Sequence, residues 1–273
     1  MNWNYEDAYK EYPIETGIAV FTDGSCLKTH DIFQPLPQFM MKADLIFCDP
    51  PWNQTNISSF YTKAEKKFDF DFEKFYARLF ECIKQIKPDV CYIEIGKEYL
   101  DKFLIELKKI FKYVTFYNST YYHKKENKCY IIRGSHKYKK PKLDYIDEED
   151  IISWACQNEE YTCIADLCMG RGLVAVNAFK CKKAFVGTEL NHKRLSVTIK
   201  RLSELGAKYQ IFYPNKLKEF REKKGFTQQE LAKCAGISLR QYQRYEDSNI
   251  QNMKLSCVLA ITRKLNISVE DLL

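Results

Sequence analysis

The stretch that most limits what this chain can fold into is Ala43–Trp52, which reads ADLIFCDPPW. Leu45–Cys48 is an apolar run of the length of a buried strand. Asp49 ends it, and two prolines follow. A residue before proline is driven out of helical conformations. Pro50 and Pro51 have no N–H to give to a ladder. A carboxylate, an outward-facing carbonyl and a flat ring, that of Trp52, are therefore fixed at a strand end. Open α/β sheets bind their ligands at that place, so the expected fold class is α/β.

The trio suits one chemistry. The exocyclic amine of adenine is a poor nucleophile because its lone pair is delocalised into the ring. Asp49 can accept one N–H and the Pro50 carbonyl the other, which frees that pair. Trp52 can stack on a base that has left its duplex. Asp49, Pro50, Pro51 and Trp52 are thus the candidate catalytic residues. Four residues alone fit a proline-stiffened loop around a buried Trp equally well. Asp-Pro-Pro-Trp also resembles the catalytic motif of the N6-adenine methyltransferases.

Composition narrows the class. The chain has 273 residues, 45% of them hydrophobic and 29% charged, with a net charge of +7. That is enough to bury a core, and the basic balance favours an anionic partner. The eleven Cys contain no Cys-x-x-Cys pair. They read as buried thiols of a reducing compartment, and no metal site is expected. No apolar run approaches the length of a membrane span, and no signal peptide is recognised. The expected location is the cytoplasm, for a DNA-associated protein of bacterial or phage type.

A second stretch, Thr162–Gly172 (TCIADLCMGRG), reads as strand, glycine turn and helix start. Lys183–Glu189 is another strand ending in an acid, and a carboxylate there can accept both ribose hydroxyls of a nucleoside. The run Asp166–Leu202 resembles the S-adenosylmethionine-binding half of the same methyltransferase family. His136, Lys140 and Pro141 resemble the family's His-Pro-Thr-x-Lys-Pro motif. The family loop is usually Asp-Pro-Phe-x-Gly-x-Gly; here Leu167 and Cys168 replace Pro and Phe, and Arg171 is bulkier than usual. The resemblance implies S-adenosylmethionine as cofactor, met by Asp23, Asp49, Lys140, Pro141, Asp166, Cys168, Gly170, Gly172, Glu189 and Leu190. Catalytic motif before cofactor loop is the permuted order of the beta class.

Between these stretches, Leu27–Met41 reads as a mixed connection and Asn53–Phe70 as a polar loop. Helices are expected over Phe72–Ile86, Tyr99–Phe111 and Asp147–Cys156. Residues 121–142 hold about eight Lys/Arg against one Glu, interleaved with tyrosines, a pattern that suits a nucleic-acid groove as well as a solvated hairpin. Lys124, Lys125 and Lys139 are the candidate backbone contacts.

Pro214 marks an expected boundary between domains 1–213 and 214–273. Gly225–Glu246 resembles the helix-turn-helix of the Cro and phage-repressor family. Thr227 and Glu230 form a capping box. Ser238 caps a second helix that would enter the major groove. Gln228, Ser238, Arg240, Gln241, Gln243 and Arg244 are the candidate DNA contacts; Arg suits guanine and Gln suits adenine. About +4 of the net charge lies in this segment.

The expected fold is thus a Rossmann-like S-adenosylmethionine-dependent methyltransferase sheet in permuted order, with a small all-α helix-turn-helix domain after it. The implied activity is transfer of a methyl group to N6 of a flipped-out adenine in double-stranded DNA. A homodimer is compatible with this reading. Two alternatives stay open: a DNA-binding regulator on a degenerate methyltransferase scaffold, and an RNA adenine methyltransferase. A groove-reading helix disfavours the RNA enzyme, because A-form RNA closes its major groove to helices.

Overall fold

The structure is a computed structural model, and it describes residues 4–212, 216–247 and 253–272. The chain divides into two compact units. One comprises Met1–Glu15 and Val20–Tyr209, the other Thr16–Ala19 and Gln210–Leu273. The boundary expected at 213/214 lies outside the described residues.

The strands, in chain order, are β1 (Ile18–Phe21), β2 (Cys26–Thr29), β3 (Leu45–Cys48), β4 (Val90–Ile95), β5 (Tyr113–Tyr121), β6 (Lys124–Ser135), β7 (Ile146–Asp147), β8 (Cys163–Asp166), β9 (Ala184–Glu189) and β10 (Tyr209–Phe212). Their order across the sheet is β10-β1-β2-β9-β8-β3-β4-β6-β5-β7. From β2 to β4 all neighbours are parallel, so these strands end on one edge. The chain runs from β3 to β4 in one direction and from β8 to β9 in the other. The divergence opens a crevice at the ends of β3 and β8. It lies between Asp49 and Asp166.

The first unit also holds α1 (Tyr5–Glu11), α2 (Gln54–Lys63), α3 (Phe72–Ile86), α4 (Leu100–Ile110), α5 (Glu148–Asn158), α6 (Leu173–Lys180) and α7 (His192–Glu204). The α3 stripe Phe72, Phe75, Leu79, Ile83 and Ile86 is buried, as its spacing predicts. Lys87 closes that helix in the left-handed region at φ 58°, ahead of Pro88. Two expectations are corrected. Residues 54–63 are helical: Asn53 accepts from the Asn56 N–H at 3.0 Å, and Ile57 and Tyr61 turn inward. The connection after Leu27 begins as strand β2, with Cys26 and Leu27 buried against β9.

A buried polar group ties β4, β6 and α5 together. Arg133 Nε donates to Glu159 Oε1 at 2.9 Å, Tyr92 Oη to the same oxygen at 2.6 Å, and Lys139 Nζ to Glu159 Oε2 at 3.0 Å. Burial pushes the Glu159 carboxyl up, but the hydrogen bonds from Arg133, Tyr92 and Lys139 outweigh it and hold the group below its ordinary value. A buried carboxylate survives because each oxygen is paired.

The part of the second unit from Leu217 onward holds the helices α8 (Leu217–Lys223), α9 (Gln228–Cys234), α10 (Leu239–Asp247) and α11 (Leu255–Leu265). Leu217, Leu231, Tyr242, Met253, Ile261 and Leu265 form its core. The Thr227/Glu230 capping box starts α9. Arg221 Nε donates to Glu246 Oε1 at 2.5 Å, and Gln228 Nε2 to Glu246 Oε2 at 2.8 Å, bracing α10 against α8 and α9.

Candidate active site

Asp49 leaves the end of β3 into a cavity of about 480 Å³. Pro50, Pro51 and Trp52 line it, and so do Asp166, Cys168 and Gly170 from the loop after β8. The two sequence stretches, more than a hundred residues apart, therefore face each other. A second space of about 100 Å³ shares Asp49, Pro51, Phe60, Cys168 and Gly170, and adds Glu189, Leu190 and Tyr61.

Trp52 is tied to the motif's own carboxylate: its indole Nε1–H donates to Asp49 Oδ1 at 3.0 Å. Its ring meets Tyr121 edge-on, with centroids 5.4 Å apart at 85°. It lies so close to β4 that a Cβ on Gly96 would sit 2.9 Å from the ring. Asp49 opens onto the cavity, yet the protein packed around it, and then the Glu148 charge, push its carboxyl up to about 7, against the Trp52 hydrogen bond and Arg194, which draw it down.

Glu94 and Glu148 are residues that the sequence reading missed. Glu94 stands on β4 among buried apolar neighbours, and Glu148 opens α5. One oxygen from each of Asp49, Glu94 and Glu148 lies within 4.8 Å of the others. Glu94 is 1% exposed, and apart from the adjacent Glu148 carboxyl and Cys129 thiol its oxygens find no hydrogen-bond partner. The signal was present in the sequence: a lone Glu within the strand VCYIEI demands an explanation.

On the cofactor side, Glu189 is buried, and burial raises its carboxyl. Its Oε2 accepts from Gly170 N at 2.7 Å and its Oε1 from Asn191 N at 2.9 Å. Asp166 accepts from Cys168 N at 3.0 Å. Gly172 has φ +70°, and a Cβ there would sit 2.2 Å from Thr198 Cγ2 of α7. Only glycine serves both the turn and the close packing.

Three candidate residues stand elsewhere. Asp23 is exposed in the turn before β2, where its Oδ1 caps Ser25 N at 2.9 Å. Ser25 Oγ accepts from Phe185 N at the start of β9, so Asp23 sits at the sheet edge opposite the cavity. Lys140 and Pro141 follow β6. That strand runs antiparallel to β4, pairing Ser135 with Val90, so it delivers them toward the far edge; neither lines either cavity. Lys139 is committed to Glu159 and the Asn158 carbonyl at the end of α5 remote from Glu148. Lys124 and Lys125, by contrast, are exposed at the start of β6. They follow a turn in which Tyr122 and His123 take φ of 59° and 52°, and Tyr121 and Tyr122 line the large cavity.

In the helical unit, Arg240, Gln241 and Arg244 are exposed on α10, with Ser238 capping it through Gln241 N at 3.2 Å. Gln228 and Gln243 bond to each other at 3.1 Å, so their amides are committed to the interhelical network.

Residues 217–272 match the helix-turn-helix family HTH_3. The chain is similar to the solved PvuII DNA methyltransferase (cytosine-N4-specific) at 9% identity, with 69% of this chain and 89% of that one covered and a TM-score of 0.50. Over the residues covered, the fold is like that of this methyltransferase. The M1.HpyAVI–SAM complex is also similar, at 13% identity over 64% of this chain and 98% of that one, with a TM-score of 0.45. No curated protein matches the chain.

Proposed function

We propose that the chain is an S-adenosylmethionine-dependent DNA methyltransferase acting on an exocyclic amino group, with adenine N6 as the target. The observation that carries this reading is the meeting of Asp49–Trp52 and the Asp166–Gly172 loop in one cavity at the switch point of the sheet. The first position of the motif supports adenine over cytosine, because N4-cytosine enzymes resembling this family usually carry Ser there.

The residues present fit the cofactor. Glu189 at a strand end suits a ribose diol, and Phe60, Tyr61 and Leu190 beside it form an apolar slot for a purine. In the loop after β8 the Cys168 N–H turns toward Asp166, the acid that would meet a cationic methionine end. Bound there, the cofactor supplies a methyl group on a sulfonium. Asp49 and the Pro50 carbonyl accept from the target amine, which must be extruded from the duplex to reach them. Tyr121, Tyr122 and Trp52 offer faces for the base. Arg240, Gln241 and Arg244 read base edges, while Lys124 and Lys125 hold phosphates.

The test is mass spectrometry of nucleosides from plasmid DNA recovered after expression. N6-methyladenine is expected, and Asp49→Ala abolishes it while cofactor binding persists. N4-methylcytosine instead would overturn the adenine assignment. Calorimetry that finds no S-adenosylmethionine binding would replace the enzyme with a DNA-binding regulator on a methyltransferase scaffold, a reading favoured by Leu167, Cys168 and Arg171 in the loop.

A further inference from the structure

Asp49 has company that its motif does not explain. Its carboxyl converges with those of Glu94 and Glu148 within 4.8 Å. Glu94 adds an independent observation: it is 1% exposed, and apart from the neighbouring Glu148 carboxyl and Cys129 thiol its oxygens find no hydrogen-bond partner. A buried carboxylate in that state is too costly to keep ionised. Three acids so close cannot all be charged, so a proton is held among them or a cation is. Three arginines, Arg171, Arg194 and Arg201, line the same cavity and oppose a divalent cation. The Glu94 and Glu148 carboxyls also lie on the inner side of the cavity: both are buried, whereas Asp49 is exposed to it.

We propose that Glu148 and Glu94 are a proton-relay pair behind Asp49, carrying inward the proton that the methylated amine must release. The proposal rests on the methyl-transfer reading above. The lone pair of the target nitrogen forms the N–C bond as the S–C bond breaks, and the electrons of that bond stay on sulfur. The nitrogen is then cationic until one N–H proton passes to Asp49. Asp49 hands a proton to Glu148, which shares it with Glu94. The cluster gains one proton in all and returns it to water once the base has left. A base filling the cavity shuts out water, so an internal acceptor is needed at that moment.

The surrounding charges suit this order. Burial, then the charges of Asp49 and Glu148, raise Glu94 well above the ordinary carboxylate range. Burial also raises Glu148 against a hydrogen bond with Glu94 that draws it down, and its chain neighbours Asp147 and Glu149 push it up further. Cys129 of β6 and Tyr121 of β5 face the pair, and both are held in their neutral forms mainly by burial. Arg194 of α7 draws Asp49 down, as it does Glu189 on the cofactor side. The groups form one coupled set, and their apparent values belong to the set.

Two measurements on the full chain test this. Infrared difference spectra, taken without cofactor near neutral pH, should show a protonated carboxyl in wild type that is lost in Glu94→Gln. Single-turnover methyl transfer on a random-sequence duplex pool should fall on the order of 100-fold in Glu148→Gln, with cofactor affinity unchanged. The acid limb of its pH profile should move below about 7, because a neighbouring negative charge has gone. No protonated-carboxyl signal, or a Glu148→Gln rate and midpoint equal to wild type, would overturn the relay. Saturable Mn²⁺ binding lost in Glu94→Gln would overturn it in favour of a cation site. Failure of wild type to make any methylated nucleoside would overturn the methyl-transfer reading and the relay with it; an active wild type whose two variants match it in rate, midpoint and infrared signal would sink the relay alone.

Discussion

Trp52→Phe isolates one hydrogen bond at the heart of the site. The indole N–H donates to Asp49 Oδ1 at 3.0 Å; phenylalanine keeps an aromatic face and removes the donor. The donor favours the ionised carboxylate, so its loss raises the Asp49 pKa above the present value of about 7. A hydrogen bond to a charged group is worth roughly 1.5–3 kcal/mol. One pKa unit corresponds to about 1.4 kcal/mol. That ratio gives roughly one to two units, and screening by water in the open cavity brings the expectation to about one. Asp49 must be ionised to accept the amine proton, so activity is present above its pKa and lost as pH falls through it. The midpoint of the acid limb should therefore move upward by about one unit. Single-turnover rates between mildly acidic and mildly alkaline pH, with cofactor saturating, read the midpoint independently of the lower absolute rate. A midpoint that stays in place or moves down would show that Trp52 does not hold the carboxylate.

Other consequences can be measured separately. Gly172→Ala places a Cβ 2.2 Å from Thr198 Cγ2 at φ +70°; it should cost about 1–3 kcal/mol, seen as a lower melting temperature, and weaken cofactor binding in calorimetry. Arg221→Met strands the buried Glu246 carboxylate, and urea unfolding should lose about 3 kcal/mol in the transition of the helical unit. Arg240→Ala or Gln241→Ala should cost roughly 1–3 kcal/mol of DNA affinity and relax the preferred sequence. Replacing Lys124 and Lys125 together by Ala should weaken all duplexes alike and flatten the salt dependence by about two ions.

How much of this was legible follows from periodicity. The α3 stripe and the β3 run are long or pure enough to announce themselves. Strand β2 hides because Lys28 and Thr29 dilute four residues to half apolar. Helix α2 hides because Gln54, Thr55, Asn56, Ser58 and Ser59 cover the stripe of Ile57, Phe60, Tyr61 and Ala64; the Asn53 cap was the readable clue. Asp23, Lys140 and Pro141 were misplaced for a different reason. Motif order along a chain does not say on which edge of a sheet a loop falls. The antiparallel β6 reverses the edge for everything after Ser135, and an Asp before Gly in a turn resembles an Asp at a ligand-binding strand end.

The acid cluster is legible only once the register is known. Cys48 pairs with Ile93 across β3 and β4, so the next residues, Asp49 and Glu94, come side by side. In-register neighbours point to the same face of a sheet. A slip of one residue would set Asp49 beside Ile93 or Ile95 and turn Glu94 to the opposite face. The third acid arrives by another route: β7 pairs Asp147 with Thr120, and Asp147 then caps α5 through Glu149 N at 3.2 Å. That fixes Glu148 in the first turn of α5, where the helix dipole favours its negative form. Glu94 has no such support. The asymmetry makes Glu94 the member that holds the resident proton and Glu148 the one free to accept the next.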